Sequence, residues 1–169
     1  ILDIVIDRLD PQVAGMALNA NGDPDRFADL GLPVLPDNID GFAGPLAGVL
    51  AGLDWAAGEG ADAIVTVAAD TPFFPRDLVD RLAAASEGQT HPLALAATPD
   101  GRQPTFGLWP VALRDDLRAA LQDGLRKVVM WTDRHGGREA MFDAVGEPFF
   151  NVNTPDDLTR ARAMRKTDT

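Results

Sequence analysis

The ten residues "ADAIVTVAAD", Ala61–Asp70, constrain the fold more than any other stretch of the chain. Small and β-branched apolar residues run between two aspartates without the alternation of a strand that has one wet face. Such a run suits a strand covered on both sides, as in the centre of a parallel sheet. Parallel neighbours need long crossover connections, usually helices, and the flanking sequence supplies them. In "GPLAGVLAGLDWAAGEG", Pro45 suits the first helical position, and Leu46, Val49, Leu50 and Leu53 share a face. In "FPRDLVDRLAAAS", Pro75 opens a helix with Leu78, Val79 and Leu82 on one side.

The rest of the chain continues the alternation. Ile1, Ile4, Val5 and Leu9 predict an opening amphipathic helix. "VAGMALNAN" and "LPVLPD" read as short strands on either side of a turn and short helix closed by Gly31. "NIDGFAG" is a glycine-punctuated loop. "PLALAAT" and "QPTFGLW" flank the turn "PDGR" as a hairpin, with Arg102 in the turn. "VALRDDLRAALQDG" and "LRKVVMWTDRHGG" are helices stopped by glycine. "REAMFDAV" and "EPFFNVN" are strand candidates. In "NTPDDL", Thr154 is an N-cap, Pro155 the first helical residue and Asp157 the acid that completes a capping box. With 169 residues and no repeat or linker, the expectation is one domain, residues 1–169, of three-layer α/β architecture with a mainly parallel sheet.

Composition narrows the chemistry. A formal net charge of -11 argues against nucleic acid as a partner. An anionic ligand would need a metal or local donors to offset the repulsion. No apolar run approaches the roughly 20 residues of a membrane span, and the acidic start "ILDIVIDRLD" is not a signal peptide. Cysteine and tyrosine are absent, and the sole serine, Ser86, reads as a helix end. His91 and His135 lie beside loop signals and read as solvated. The kit for covalent catalysis is nearly missing, which leaves positioning and electrostatics by carboxylates, amides and a metal.

In α/β folds ligands bind at the carboxyl ends of the strands. The residues just past the expected strands are Asn19 and Asn21, Asp37, Asp70, and Asn151 and Asn153. Each has an ordinary use in turns and caps, but together they form a polar edge. Asp70, followed by Thr71 and Pro72, has two candidate roles: a hard-cation ligand of the kind Mg²⁺ favours, or an acceptor for backbone N–H groups in its own turn. Gly44, ahead of a helix start, allows close approach of backbone to a ligand; the alternative is a tight loop-to-helix turn with Gly48 packing against a neighbour. Arg126 and Lys127, read as the first turn of a helix, oppose its dipole and suggest an anion contact against the default of a solvated face.

The ordered set "LNAN", "VLPD", "GPLAG", "AADTPF", "QPTF", "RKVV" and "NVNTPDDL" resembles the molybdenum cofactor guanylyltransferase family over almost the whole chain. "GPLAG" with "DTP" favours the guanine-using branch over its cytidine-using relatives. The resemblance implies a Rossmann-like nucleotidyltransferase fold and Mg²⁺-dependent transfer of GMP from GTP to the terminal phosphate of molybdopterin. It implies nucleotide contacts at Asn19, Asp37, Gly44 and Asp70, with Asp70 the Mg²⁺ ligand and catalytic residue. It implies molybdopterin contacts at Arg126, Lys127, Asn151 and Asn153. Insertion proteins, apo-molybdoenzymes and a cytoplasmic location follow as further expectations. The family's opening strand and glycine-rich loop have no counterpart in these 169 residues. The competing readings are a cytidylyl- or sugar-nucleotidyltransferase, a non-catalytic molybdopterin-binding module, and a phosphotransfer receiver with Asp70 as phosphoacceptor.

Overall fold

The computed structural model describes residues 1–41 and 44–167; residues 42 and 43 of the expected glycine loop lie outside that range. The helices are α1 (Leu2–Leu9), α2 (Pro45–Gly58), α3 (Leu78–Ala85), α4 (Arg114–Gln122), α5 (Val128–Arg134) and α6 (Pro155–Thr167). The strands are β1 (Leu18–Asn19), β2 (Val34–Leu35), β3 (Ala63–Thr66), β4 (Ala94–Thr98), β5 (Gly101–Pro110) and β6 (Arg138–Met141). Short 3₁₀ turns occupy Asp10–Gln12, Pro24–Leu30 and Val111–Leu113. Among the described residues, no helix is long and apolar enough to cross a membrane.

The strands form two sheets. β1 and β2 pair in parallel, and the larger sheet has the order β3-β5-β4-β6. β4 and β6 are parallel, whereas β5 is antiparallel to both of its neighbours. Thus β3, β4 and β6 share one direction, and the expected hairpin places a reversed strand between β3 and β4. The β4–β5 register slips at Leu95/Ala96, so residues 104–106 bulge from the ladder. Pro104 has no N–H to donate, and a bulge is where a strand absorbs that loss.

Side chains leave this sheet alternately toward two cores. Leu93, Leu95 and Trp109 meet Leu46, Leu50 and Leu53 of α2, Leu117 and Leu121 of α4 and Trp131 of α5. Ala94, Ala96, Phe106 and Leu108 meet Val5 of α1, Phe74, Leu78 and Leu82 of α3, and Phe142. Helices therefore cover both faces of the sheet, the three-layer arrangement expected. α2 is apolar nearly all round and also reaches the small sheet. Asn19, ending β1, lies against Gly48, and Ile64, near the start of β3, lies against Gly52 one turn further on. β1 therefore ends toward the helix N-terminus while β3 begins toward its C-terminus, so the two strands run the same way.

Several expectations need correction. β3 is an edge strand of the larger sheet, and its four residues are only half-buried. A cavity of about 780 Å³, lined by α1, α2, β1 and β3, separates it from β1. "EPFFNVN" forms no strand; its Phe149 packs edge-on against Phe106 and Phe142, at centroid distances of 4.9 and 5.6 Å. Packing of the aromatic rings, not a ladder, holds that segment. His91 is exposed as expected, but His135 is not a solvated loop residue. Its ring lies 4.6 Å from that of Trp131, and its Nε2 is 2.7 Å from Asp116 Oδ1, which also accepts from Trp131 Nε1 at 3.0 Å. Partial burial alone would push the Asp116 carboxyl up, but these two bonds outweigh it and hold the group below its ordinary value.

Leu50 is fully buried where α2 meets the larger core. Leu50→Ala is expected to cost about 2–5 kcal/mol. Urea unfolding checks this: the midpoint should fall with little change in slope, and an unchanged midpoint would remove α2 from the load of the core.

Candidate active site

The ends of β1 and β2 are held by a polar clasp. Asn19 Nδ2 donates to Leu35 O (2.9 Å) and to Asp37 Oδ1 (3.0 Å). Asn21 Nδ2 donates to Asp37 Oδ2 (3.0 Å), and the Asp37 N–H donates back to Asn21 Oδ1 (2.9 Å). Both carboxylate oxygens of Asp37 are thereby held by amides. Two-residue strands carry too few ladder bonds to fix their own register, and these side chains supply the missing constraint. Asn21 belongs to this unit as fully as the expected Asn19 and Asp37.

The start of α2 sits beside the clasp. Gly44 precedes Pro45 with φ of 68° and ψ of -160°, a conformation that L side chains rarely adopt. Gly48 is required by contact instead, since a Cβ there would lie 2.4 Å from Asn19 Oδ1. The two glycines of "GPLAG" thus have separate causes, one of backbone conformation and one of close approach. Arg126 reaches the same corner through its backbone, with its carbonyl oxygen 3.9 Å from the place of a Gly44 Cβ.

Arg126 and Lys127 do not open a helix. α5 begins at Val128 with Lys127 as its N-cap, and Arg126 Nη1 donates to Leu121 O (2.9 Å) and Leu125 O (2.8 Å). The guanidinium caps carbonyls at the C-terminal end of α4, where a cation is favoured. The dipole mismatch expected from the sequence is therefore absent. Both residues are exposed.

Asp70 lies four residues past β3, half-buried, on the turn into Pro72. Its Oδ1 accepts from the Thr71 hydroxyl at 3.0 Å, and that hydroxyl lies 2.6 Å from the side-chain amide of Asn151. The Val152 N–H donates to Asp70 O at 2.8 Å, so backbone and side chains both seam the two segments. Asp70 Oδ2 has no hydrogen-bond partner among the described residues, and no backbone N–H is bonded to the carboxylate. Of the two roles open to Asp70 in the sequence, the turn acceptor is thus unfilled. Buried Arg8 of α1 donates from Nε to Pro72 O (3.1 Å) and pins the turn from behind. Neither Arg8 nor Thr71 stood out in the sequence. Arg8 follows Val5 on the helix face by three positions, and Thr71 is a short hydroxyl beside a carboxylate, but burial gives both their meaning.

Asn153 is held by the expected capping box. Thr154 Oγ1 accepts from Asp157 N–H (3.1 Å), and Asp157 Oδ2 accepts from the N–H groups of Asn153 (3.1 Å) and Thr154 (3.0 Å). These bonds, that from Asn153 foremost, keep the Asp157 carboxyl below its ordinary value. The structure thus brings together Asn19 with Asp37, Gly44 with the Arg126 corner, and Asp70 with Asn151. The cavity between β1 and β3 is lined by Asn19 of the first group and by Ala69, the residue before Asp70 of the last. Among the described residues no cluster of three or more His, Asp or Glu side chains forms a ready-made cation cage.

Polar groups gathered at the strand ends of an open α/β sheet mark the edge where such folds take a ligand, and the chain's similarity to known proteins gives the class, a nucleotidyltransferase. The MobA-like NTP transferase domain profile matches residues 1–137, and the chain belongs to that family. It is 51% identical over 170 residues to the molybdenum cofactor guanylyltransferase of Mesorhizobium japonicum, covering 97% of this chain and 82% of that protein. It is 52% identical over 164 residues to the protein of the same name from Bradyrhizobium sp., covering 95% and 77%. The fold is similar to that of the molybdopterin-guanine dinucleotide biosynthesis protein A of Archaeoglobus fulgidus, with a TM-score of 0.67 and 21% identity over 96% of this chain and 86% of that one.

Two outcomes test the geometry. Gly48→Ala is expected to displace the Asn19 side chain and weaken nucleotide retention several-fold while secondary structure persists; unchanged nucleotide affinity would disconnect the clasp from the site. The cap at Asp157 predicts an acid-side effect. Its folded carboxyl titrates lower than the unfolded one, so its contribution is complete above the ordinary carboxylate range, about pH 4, and is lost as pH falls through the lowered value. Melting temperature against pH should therefore drop less steeply on the acid side for Asp157→Asn than for the natural chain; parallel curves would rule the cap out as a source of acid lability.

Proposed function

We propose that the chain transfers GMP from GTP to the terminal phosphate of molybdopterin, giving molybdopterin guanine dinucleotide and pyrophosphate. The 51–52% identity to proteins named molybdenum cofactor guanylyltransferase supports the reaction. The observation that carries the site assignment is the joining of Asp70 to Asn151 through the Thr71 hydroxyl, which meets Asn151 from 80 residues away, just past β3. A cytidine-using variant of the same chemistry is the alternative that the test separates.

In this reading Asp70 holds Mg²⁺. The donor chemistry fits: a hard carboxylate oxygen, half-buried and without a protein partner among the described residues, suits an ion that takes one or two carboxylates and completes its shell with water and phosphate. When bound there the ion supplies the positive charge that the triphosphate and the leaving pyrophosphate need. The chain's own residues position. Asn19 and Asp37, locked by Asn21, present a rigid polar rim to the nucleotide at the start of α2, with Gly44 allowing close approach. Asn151 and Asn153 face the acceptor, Asn153 oriented by the α6 cap. The guanidinium of Arg126, held on the Leu121 and Leu125 carbonyls, and the exposed ammonium of Lys127 supply positive charge to the acceptor phosphate in this reading. The nucleophile is the acceptor's own phosphate, so no serine or cysteine is required, and alignment of two bound substrates supplies much of the rate.

Asp70→Ala is expected to lower Mg²⁺-dependent pyrophosphate release with GTP and molybdopterin by at least about a hundred-fold while the fold survives. Near-normal release from a well-folded variant would take Asp70 out of the mechanism, and natural protein that prefers CTP to GTP would sink the guanine assignment.

A further inference from the structure

We infer that Thr71 is a positioning residue whose single hydroxyl proton decides which atom Asn151 turns toward the substrate, an inference that rests on the proposed function for its substrate. Thr71 is fully buried, yet its Oγ1 touches two side chains, Asp70 Oδ1 at 3.0 Å and the Asn151 amide at 2.6 Å. A hydroxyl has one proton to give, and a carboxylate only accepts, so that proton goes to Asp70. The atom of Asn151 facing Thr71 is placed as Oδ1. Two acceptors at 2.6 Å with no proton between them repel, and the two ends of an amide are told apart by their partners. The proton count therefore reverses Asn151: Nδ2–H donates to Thr71 Oγ1, and Oδ1 faces the open site.

The relay then runs from the Asn151 amide through the Thr71 hydroxyl to the Asp70 carboxylate. The backbone bond from Val152 N–H to Asp70 O holds its two ends at a fixed spacing. Each end is left with one oxygen that bonds to no described residue, Asp70 Oδ2 and, after the reversal, Asn151 Oδ1. An outward acceptor at Asn151 recognises an N–H or O–H group and repels a phosphate oxygen. We therefore assign Asn151 to a donor group on the ring system of the acceptor substrate and not to its phosphate. Asn153, whose backbone serves the α6 cap, is not part of the relay.

The test pairs a substrate-free readout with kinetics, using Thr71→Val, which keeps the shape and removes the hydroxyl, and Thr71→Ser, which restores it. In the natural chain and in Thr71→Ser, the side-chain amide resonances of Asn151, assigned by their absence from Asn151→Ala, should be hydrogen-bonded and slow to exchange with solvent. Thr71→Val should speed that exchange and raise KM for molybdopterin about ten-fold with kcat changed less, the factor expected for one lost hydrogen bond near a charged group. A folded Thr71→Val protein whose Asn151 amide exchanges as in the natural chain overturns the inference. An altered amide with unchanged KM overturns it too, since Thr71 is then only a packing residue. Natural protein that is inactive with GTP overturns the proposed function, and the amide readout still decides the hydrogen bond by itself.

Discussion

The seam between Asp70 and Val152 organises this molecule. One backbone bond, the Thr71 hydroxyl and the Asn151 amide join the end of β3 to a segment that enters the last helix. Neither side of the seam is a regular element, so neither could hold its polar groups in place alone. Each is instead fixed from behind. Arg8 of α1 holds Pro72, and Phe74 and Phe149 both lie against Phe106, at centroid distances of 5.8 and 4.9 Å. The apolar cluster under the seam converts burial energy into position, the arrangement a site needs when its chemistry depends on alignment.

The second constraint is α2. Its glycines and alanines let two sheets approach one helix, and the sheets make no hydrogen bonds to each other among the described residues. Its N-terminus meets the Asn19–Asp37 clasp, and its C-terminal half lies over β3. The Asn19–Asp37 corner and the strand that leads to Asp70 therefore share one rigid ruler. The net negative charge of the chain gives no general attraction for phosphates, so any anionic ligand depends on local donors.

Much of the fold is legible in local sequence, because local rules involve few residues. The capping box of Thr154 and Asp157 and the Pro45 helix start form as read; the hairpin forms too, but its turn is shorter than "PDGR", since β5 begins at Gly101 and Arg102 is a strand residue opposite Ala97, ion-paired with Asp133 and Glu139. Each depends only on neighbours within a few positions. The misreadings share a cause of the opposite kind. Ala63–Thr66 is apolar enough for a central strand, yet it lies at an edge, since pairing partners come from elsewhere in the chain. "EPFFNVN" has strand composition, but Phe149 finds an aromatic cluster before its backbone finds a ladder. Arg126 looked misplaced in a first turn because the helix starts two residues later and the guanidinium belongs to the end of the preceding one.

The sequence by itself determined the alternation of strands and helices, the polar residues at strand ends, and through its ordered motifs the family. Those properties follow from local propensity, apolar periodicity and residue identity. Only the tertiary structure decided that Asp70 meets Asn151 through Thr71, that Asn21 locks Asp37, that Gly48 is small to admit Asn19, and that His135 belongs to Trp131 and Asp116. These are contacts between segments far apart along the chain. Their energies depend on burial and on distances of a few ångströms, and no pattern along the sequence encodes a distance between residues 80 positions apart.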